Sequence, residues 1–275
     1  MNNLWQKLTI TAEKKFLEII SADIIQVSNG IIDTDSSHIH FIENKDLEFI
    51  KKKLNKYNYF HFKFQFEEQK RENWHLAWKE NFTKININNK LNIIPDWDNS
   101  EYHQKTIKIK PGMAFGTGHH ETTYLILEQL VEKILPNMSV LDLGCGSGIL
   151  SIAAKKLGAG NVTAVELDTE CKENFNENLF LNNFKNEVST HYMDVLKWDD
   201  YNYDIILANI NKSIIKKLIV LLSEKPVSKV FLTGLLIDDK SEVISLIEEN
   251  NFNIECIKSK GEWLLIIIDK SFDYE

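Results

Sequence analysis

The spacing of apolar and polar residues predicts two structurally different regions. Up to residue 66, four short stretches have the length and composition of strands, and two stretches repeat apolar residues at helical spacing. The strands are predicted at Leu4–Ile10, Ile24–Val27, His38–Ile42 and Tyr59–Phe66, and the helices at Ala12–Ile20 and Leu47–Leu54. This βαββαβ order predicts a small N-terminal α+β domain of the ferredoxin-like kind.

A highly charged segment, Glu67–Phe82, follows and is predicted to be a connecting helix. Trp74 and Trp78 are four residues apart and would lie on the same side of it. Two interpretations of this pair stay open, a packing stripe, which the pattern favours, and direct contact with a substrate. The predicted division is therefore residues 1–66, a linker helix at 67–82, and a second domain at 83–275.

After Pro136, strands alternate with helices, a pattern typical of parallel strands joined by crossover helices. Strands are predicted at Ser139–Leu143, Val162–Glu166, Glu187–Tyr192, Tyr203–Ala208 and Lys229–Thr233, helices at Ser147–Leu157, Thr169–Asn182, Ser213–Ser223 and Asp238–Asn250, and a final hairpin at Asn253–Lys258 and Glu262–Asp269. The fold class is therefore α/β, with a seven-stranded, doubly wound (Rossmann-like) sheet.

The composition narrows the functional classes. With 43% hydrophobic and 26% charged residues the chain has the composition of a folded globular protein, and its net charge of −8 disfavours a broad phosphate-binding surface. No apolar run approaches the ~20 residues of a membrane helix, no signal peptide is recognisable, and the three cysteines form no disulfide or metal pattern. We therefore expect a cytoplasmic protein with no membrane contact.

A glycine-rich motif carries the first chemical signal. From Val140 to Gly148 an apolar strand runs into Gly-Cys-Gly-Ser-Gly and then into a helix. Gly144 and Gly146 allow a sharp turn and close approach to a ligand, and the first N–H groups of the helix face the same crevice. The Gly-x-Gly-x-Gly spacing of this motif differs from the Gly-x-Gly-x-x-Gly spacing of pyrophosphate-binding loops. It indicates a nucleoside cofactor without a diphosphate, such as S-adenosylmethionine.

Two carboxylates fit such a cofactor. Asp142 precedes the glycines and would supply negative charge for a sulfonium and an amino group, while Glu166 ends the next strand, where an acid accepts hydrogen bonds from both ribose hydroxyls. Each feature also has a plain structural interpretation, a tight turn or a solvated strand end. A nicotinamide-dependent dehydrogenase is the second candidate on this fold, but the glycine spelling favours S-adenosylmethionine.

Two further motifs give the specific resemblance. Residues 110–123 read Lys-Pro-Gly-Met-Ala-Phe-Gly-Thr-Gly-His-His-Glu-Thr-Thr, and the fourth predicted strand ends in Ala208-Asn-Ile-Asn211. Together with the segment around Trp74, Thr233-Gly-Leu-Leu and Glu262-Trp263, they resemble the PrmA family of ribosomal protein L11 methyltransferases. Lys110 and Glu121 depart from residues that are common in that family.

The resemblance implies an S-adenosylmethionine-dependent methyltransferase. Its implied substrate is ribosomal protein L11, methylated on lysine side chains and on the N-terminal amine, with the N-terminal domain recognising the substrate. We separately expect a monomer. The resemblance also implies that Thr123, Gly144, Glu166 and Asn209 contact the cofactor, and Asn209 is the expected catalytic residue, holding the acceptor amine in line.

Four other positions are candidates for a functional or a structural role. Phe115 is expected either to pack its loop or to cover the methyl donor, and Asp194 either to bind the adenine amino group or to cap a loop. His119 and His120 are adjacent, so their side chains diverge, and we expect no metal site there.

Two alternatives come from other functional classes. Methyltransferases of nucleic-acid base amino groups also place an asparagine after the fourth strand, but here Asn209 is followed by Ile210 and Asn211 rather than by the Pro-Pro-aromatic clamp for a flipped base. We expect no direct reading of nucleic acid. A non-catalytic protein that binds S-adenosylmethionine or docks on ribosomes is the other alternative, and the complete target-side motifs disfavour it.

Overall fold

The computed structural model describes residues 4–24, 27–33, 37–57, 61–70, 83–111 and 118–270. The chain forms two compact units, Met1–Thr83 and Lys84–Glu275. The Trp74–Trp78 pair and Phe115 lie outside the described residues.

The first unit is a four-stranded antiparallel sheet with two helices. Its elements are β1 (Leu4–Ala12), α1 (Lys14–Ile24), β2 (Ser28–Asp33), β3 (Ser37–Glu43), α2 (Leu47–Leu54) and β4 (Phe62–Lys70). The strand order is β2-β3-β1-β4, and each neighbouring pair is antiparallel. The predicted βαββαβ order is confirmed, and the sheet order is that of a ferredoxin-like domain.

One face of this sheet carries the core of the unit. Leu8 and Ile10 alternate along β1 and are fully buried with Leu17 and Ile20 of α1. The spacing of two in the strand and three in the helix brings both sets onto one interface. Apolar periodicity therefore accounts for this half of the fold.

Two predicted segments of the first unit are wrong. Ile24 is the last residue of α1 rather than the start of a strand, and β2 begins at Ser28. Residues 67–70, predicted to begin the linker helix, complete β4, where Glu67 pairs with Lys7 of β1. The charge density of this segment suggested a helix, but pairing with β1 continues the strand along the sheet edge.

The second unit contains a seven-stranded sheet flanked by helices. Its strands are β8 (Val140–Leu143), β9 (Val162–Glu166), β10 (Val188–Tyr192), β11 (Ile205–Asn209), β12 (Lys229–Leu236), β13 (Asn253–Lys260) and β14 (Trp263–Asp269). Its helices are α3 (Glu121–Lys133), α4 (Ile149–Leu157), α5 (Lys172–Leu181), α6 (Lys212–Leu222) and α7 (Lys240–Glu249). In the described part of the chain, no helix has the length and apolarity needed to cross a membrane.

The strands of this sheet lie in the order β10-β9-β8-β11-β12-β14-β13. The direction of the strand order reverses between β8 and β11. Strands β8 to β12 are parallel to one another, and β14 is antiparallel to both β12 and β13. The predicted doubly wound sheet and final hairpin are confirmed. Because ligands bind beyond the carboxyl ends of strands at such a reversal, the crevice between β8 and β11 is the expected binding place.

Four elements of the second unit were not predicted, namely helix α3 and three short strands that precede it. A three-stranded sheet of β5 (Ile85–Ile87), β6 (Leu91–Pro95) and β7 (Lys105–Ile109) precedes α3. Its buried residues, such as Ile93 and Ile107, belong to the same core cluster as Leu127 of α3. These strands are three to five residues long, too short for periodicity to distinguish them from loops.

Candidate functional site

The glycine-rich loop follows β8 directly. The N–H groups of Gly144 and Cys145 both donate to the carbonyl of Val165 in β9, at 2.8 and 3.2 Å, and so tie the loop to the neighbouring strand. Gly144, Gly146 and Gly148 have φ angles of +77°, +51° and +82°. Side chains rarely adopt these angles, so the turn depends on glycine. The predicted strand, turn and helix are confirmed.

Glu166 closes β9 and faces this loop. Its Oε2 accepts a hydrogen bond from the N–H of Gly146 at 2.9 Å, and its Oε1 accepts from the N–H of Asp168 at 2.9 Å. Because each carboxylate oxygen has two lone pairs, both oxygens keep a further acceptor position. The carboxylate is therefore held in place and can accept two more donors, as a ribose diol would supply.

Asp142 lies beneath the loop and is fully buried. Its Oδ2 accepts from the N–H of Ser151 at 3.0 Å and from the Ser151 hydroxyl at 2.6 Å, while its Oδ1 has no hydrogen-bond partner among the described residues. Burial raises the pKa of Asp142 to about 7, against the effect of the two bonds from Ser151. A positive charge placed nearby would favour the ionised form.

Asn209, the last residue of β11, contacts the first turn of α3. Its Nδ2 donates to the hydroxyl of Thr123 at 3.3 Å, and Thr123 is fully buried. This contact joins the two motifs that carry the family resemblance, which are 86 residues apart. Because the amide nitrogen points at Thr123, the amide oxygen is turned away from that hydroxyl.

His120 starts α3. Its Nδ1 accepts from the N–H of Thr122 and caps the helix, and its ring lies 4.9 Å from that of Trp263 in an edge-on arrangement. Among the described residues, no group of three or more potential metal ligands comes together. The helix cap and the contact with Trp263 give His120 a structural role.

Ile210 was missed by the sequence analysis, although it belongs to the Ala208–Asn211 motif. It lies between two glycines: a Cβ on Gly144 would overlap its side chain, and a Cβ on Gly234 would come within 2.8 Å of its carbonyl carbon. Gly234 belongs to the Thr233-Gly-Leu-Leu motif. The motif marked Gly234 as a position of interest in the sequence. Only the order of the strands in the sheet shows that Gly234 lies beside Ile210.

Tyr192 was also missed. It ends β10 directly beside Glu166, and its hydroxyl is buried with no hydrogen-bond partner among the described residues. Burial, followed by the nearby thiol of Cys145, raises its pKa to about 12. The phenol therefore stays protonated at neutral pH and can act as a donor close to the carboxylate of Glu166.

Asp194 follows β10 and caps a short 3₁₀ turn, its Oδ1 accepting from the N–H of Leu196 at 3.0 Å. Asp194 was expected either to bind the adenine amino group or to cap a loop, and the structure shows the loop cap. This cap fixes the backbone at the carboxyl end of β10. The expected cofactor residue Phe115 lies outside the described residues.

The candidate cofactor residues lie together along the edge of the sheet that is formed by the carboxyl ends of its parallel strands. Asp142 lies near the carboxyl end of β8 and the glycine loop follows that strand, Glu166 ends β9, Asp194 follows β10, and Asn209 ends β11. These four parallel strands are adjacent in the order β10-β9-β8-β11, and the direction of the strand order reverses between β8 and β11. The carboxyl ends of these strands therefore bring together negative charge, the glycine-rich loop and one oriented amide, at the place where open α/β sheets bind their ligands.

Comparison with known proteins gives a consistent family. The profile of the family described as "Ribosomal protein L11 methyltransferase (PrmA)" matches residues 5–271. A ribosomal protein L11 methyltransferase from Lactobacillus gasseri is 37% identical over 209 residues, which cover 74% of this chain and 65% of the relative. The corresponding protein from Carboxydothermus hydrogenoformans is 34% identical over 214 residues, covering 76% of this chain and 70% of the relative. The match to the Lactobacillus gasseri relative therefore spans slightly less than two thirds of that protein.

A solved structure agrees with these relatives. The ribosomal protein L11 methylase from Lactobacillus delbrueckii subsp. bulgaricus is 31% identical with a TM-score of 0.64, covering 69% of this chain and 100% of the solved chain. The family profile spans residues of both units. The chain belongs to the PrmA family, whose description is ribosomal protein L11 methyltransferase.

Proposed function

We propose that this protein transfers methyl groups from S-adenosylmethionine to lysine side-chain and N-terminal amines of ribosomal protein L11. The observation that carries the proposal is the contact between Asn209 and Thr123, which brings the two family-specific motifs together beside the cofactor loop. Family membership supports the target, because the related proteins are described by that activity.

The residues at the sheet edge fit S-adenosylmethionine. Glu166 would accept the ribose hydroxyls, and the loop containing Gly144 and Gly146 would lie against the nucleoside without obstruction by a Cβ. Asp142 would act on the positive charge, since its carboxyl is buried and has an oxygen without a partner among the described residues. The cofactor supplies a methyl group on a positively charged sulfur.

Thr123 and Asp194 complete the proposed set. Thr123 would contact the cofactor as well as Asn209. The Asp194 carboxylate, already a loop cap, would also reach the adenine amino group. The alternative is that Asp194 acts only through the loop that it caps, and a loss of adenine selectivity in Asp194→Ala without a loss of stability would distinguish the two.

Asn209 would hold the acceptor amine. Methyl transfer is an in-line displacement, so its rate depends chiefly on alignment and on the exclusion of water. With its nitrogen donating to Thr123, the Asn209 amide presents its oxygen as a hydrogen-bond acceptor that does not compete as a base. A lysine amine, with a reference pKa of ~10.4, must lose its proton first. Desolvation and a neighbouring positive charge both favour that loss.

The two units would have different functions, cofactor binding in the second and substrate recognition in the first. The second unit contains every described residue of the proposed cofactor site, and the first has a separate core. We infer that the first unit recognises the substrate. We also infer that the enzyme acts as a monomer in the cytoplasm, without reading nucleic acid directly. Light scattering would test the oligomeric state.

The proposal is tested with tritiated S-adenosylmethionine, purified protein and separated large-subunit ribosomal proteins. We expect label on L11, in lysines and at the N-terminus, and loss of that label with Asn209→Ala. Ribosomal RNA serves as the parallel acceptor. Label on RNA, or on another protein with none on L11, would contradict the proposed target while leaving the cofactor assignment standing.

A further inference from the structure

Asn178, in the middle of α5, is fully buried and uses both ends of its amide. Its Nδ2 donates to the carbonyl of Ser147 in the cofactor loop at 2.9 Å, and its Oδ1 accepts from the N–H of Lys110 at 2.7 Å. Ser147 belongs to the Gly144–Gly148 loop, and Lys110 begins the Lys110–Thr123 motif. One side chain therefore bridges the cofactor loop and the start of the target-side motif.

Two neighbours on the same face of the helix hold the adjoining backbone. Asn174 donates to the carbonyl of Lys110 at 2.8 Å. Asn182 donates to the carbonyl of Lys108 at 2.6 Å and accepts from its N–H at 2.9 Å. With Asn178, these residues recur every four positions, so their amides take the place of a further strand beside the end of β7.

Helix α5 also supports the cofactor loop through packing. A Cβ on Gly148 would come within 2.6 Å of the Phe175 ring, so this ring lies directly against the loop. Phe175 and Asn178 are three residues apart and face the same side of the helix. The loop thus rests on an apolar contact and on a hydrogen bond from the same helix.

We propose that Asn178 is a positioning residue that couples the cofactor loop to the start of the Lys110–Thr123 motif. The inference rests on the proposed function, since it takes the loop as the cofactor site. A buried amide with both partners satisfied has one favoured orientation, and moving either partner leaves a buried polar group unpaired. Cofactor contact with the loop would therefore also stabilise the backbone at Lys110.

Asn182 provides a matched control. It is buried, caps the C-terminal end of the same helix and holds the same strand through two hydrogen bonds with Lys108, and within the described part of the chain its hydrogen bonds do not reach the cofactor loop. Asn178→Leu and Asn182→Leu each replace an amide by an apolar side chain of similar size. A loss of helix or strand stability should be similar in both variants, while a loss of coupling should follow Asn178 alone.

The experiment measures S-adenosylmethionine binding by calorimetry and amide hydrogen exchange with and without the cofactor. In the wild type, the cofactor should slow exchange at residues 144–150 and at residues 105–111. Asn178→Leu should bind about tenfold more weakly, as the loss of a hydrogen bond to a buried group predicts, and should lose the cofactor-dependent slowing at 105–111. Asn182→Leu should retain the wild-type affinity for the cofactor and the cofactor-dependent slowing of exchange at residues 105–111.

Equal effects of the two substitutions, or cofactor-dependent slowing at 105–111 that persists in Asn178→Leu, would overturn the coupling. If Asn178→Leu does not fold, Asn178→Ser is measured against Asn182→Ser with the same expected contrast. A wild-type protein that does not bind S-adenosylmethionine would overturn the proposed function and this inference together. Normal wild-type binding with no contrast between the variants would overturn the inference alone.

Discussion

The main-chain carbonyl of Ile210 lies so close to Gly234 that a side chain at position 234 would overlap it. A Cβ there would come within 2.8 Å of the Ile210 carbonyl carbon and closer still to its oxygen, and Gly234 has a φ of +94°. The N–H of Ile210 donates to the carbonyl of Thr233 at 3.2 Å. Together these contacts fix the backbone immediately after Asn209.

Gly234→Ala should therefore displace Ile210 and Asn209 as well as destabilise the fold. We expect a loss of about 2–5 kcal/mol in the free energy of unfolding, combining the cost of a positive φ with that of a steric overlap. Turnover should fall more than the stability loss explains. Gly261→Ala is the control, since Gly261 also has a positive φ of +56° but lies in an exposed hairpin turn. Denaturant titration and single-turnover assays at a temperature where both variants are folded give the comparison.

Glu166→Gln tests the ribose site while keeping an acceptor for the backbone. The carboxylate accepts from the N–H groups of Gly146 and Asp168, so an alanine would also disturb the loop, whereas glutamine retains one oxygen. We expect cofactor binding to weaken by about 1.5–3 kcal/mol for a lost charge-assisted hydrogen bond. Calorimetry provides the measurement, with the exposed Glu170→Gln as control. Unchanged affinity in folded Glu166→Gln would remove Glu166 from the site.

Cofactor affinity should depend on pH through Asp142. Burial raises the pKa of this carboxyl to about 7, so it is largely protonated below that pH in the free protein. A positively charged cofactor favours the carboxylate, and its affinity should fall by up to about tenfold per unit as pH drops below 7. Asp142→Asn should bind more weakly at pH 8 and show a flatter profile. An equally steep profile in the variant would assign the dependence to another group.

The same pKa has a consequence for stability. Because the folded-state pKa of Asp142 lies above its ordinary value of 3.8, the group stabilises the fold most when it is protonated, and this contribution is lost as pH rises from about 4 through about 7. In the absence of cofactor, Asp142→Asn should lose this decline. Urea titrations between pH 5 and pH 8 would show it as a smaller pH dependence of the unfolding midpoint.

Asn209 substitutions should affect turnover more than substrate binding, because lost alignment acts on the transition state. Asn209→Ala should lower the single-turnover rate at saturating cofactor with little change in the Kd for L11. Asn209→Asp should be slow near neutral pH, since a carboxylate favours the protonated, unreactive ammonium, and should recover as pH rises. Wild-type rates for both variants from about pH 7 to pH 10, toward the lysine reference pKa, would mean that Asn209 only ends its strand.

The first unit should lose stability in acid because of His40. This ring is fully buried, and hydrogen bonds at 2.9 and 3.2 Å join it to the hydroxyls of Ser21 and Ser28. Burial, and then the charge of His38, lower the pKa of His40 from 6.5 to about 3. Its contribution is present above pH 6.5 and declines as pH falls toward 3, by at most about 1.4 kcal/mol per unit. Urea unfolding from pH 8 to pH 4 should show a shallower decline in His40→Gln, whereas the exposed His61→Gln should behave like the wild type.

Local pattern was sufficient for several elements. Residues Val162–Glu166 and Leu47–Leu54 form the strand and the helix that were predicted, with the same bounds. In both cases, apolar periodicity and flanking turn residues agree with the tertiary environment. Segments of mixed character were predicted less well, as residues 67–70 show, because sheet pairing decided between strand and helix there.

The candidate site shows the same division. The glycine-rich turn after Val140 and the acid at Glu166 were identified as candidates because each lies at a strand end that periodicity locates, whereas Asn209 was identified through the family resemblance. The contacts that organise them join residues far apart in the chain, such as Asn209 with Thr123 and Asn178 with Lys110. Spacing along the chain carries no information on such pairs.

By itself, the sequence determined the alternation of strands and helices after Pro136, the place of the glycine-rich loop and the chemical types at the strand ends, because these depend on local periodicity and on backbone freedom at glycine. Only the tertiary structure decided that Ile210 requires glycine at both 144 and 234, that Asp142 is buried with a raised pKa, and that Asn178 bridges two motifs. Those properties depend on which strands become neighbours and on how completely a group is removed from water.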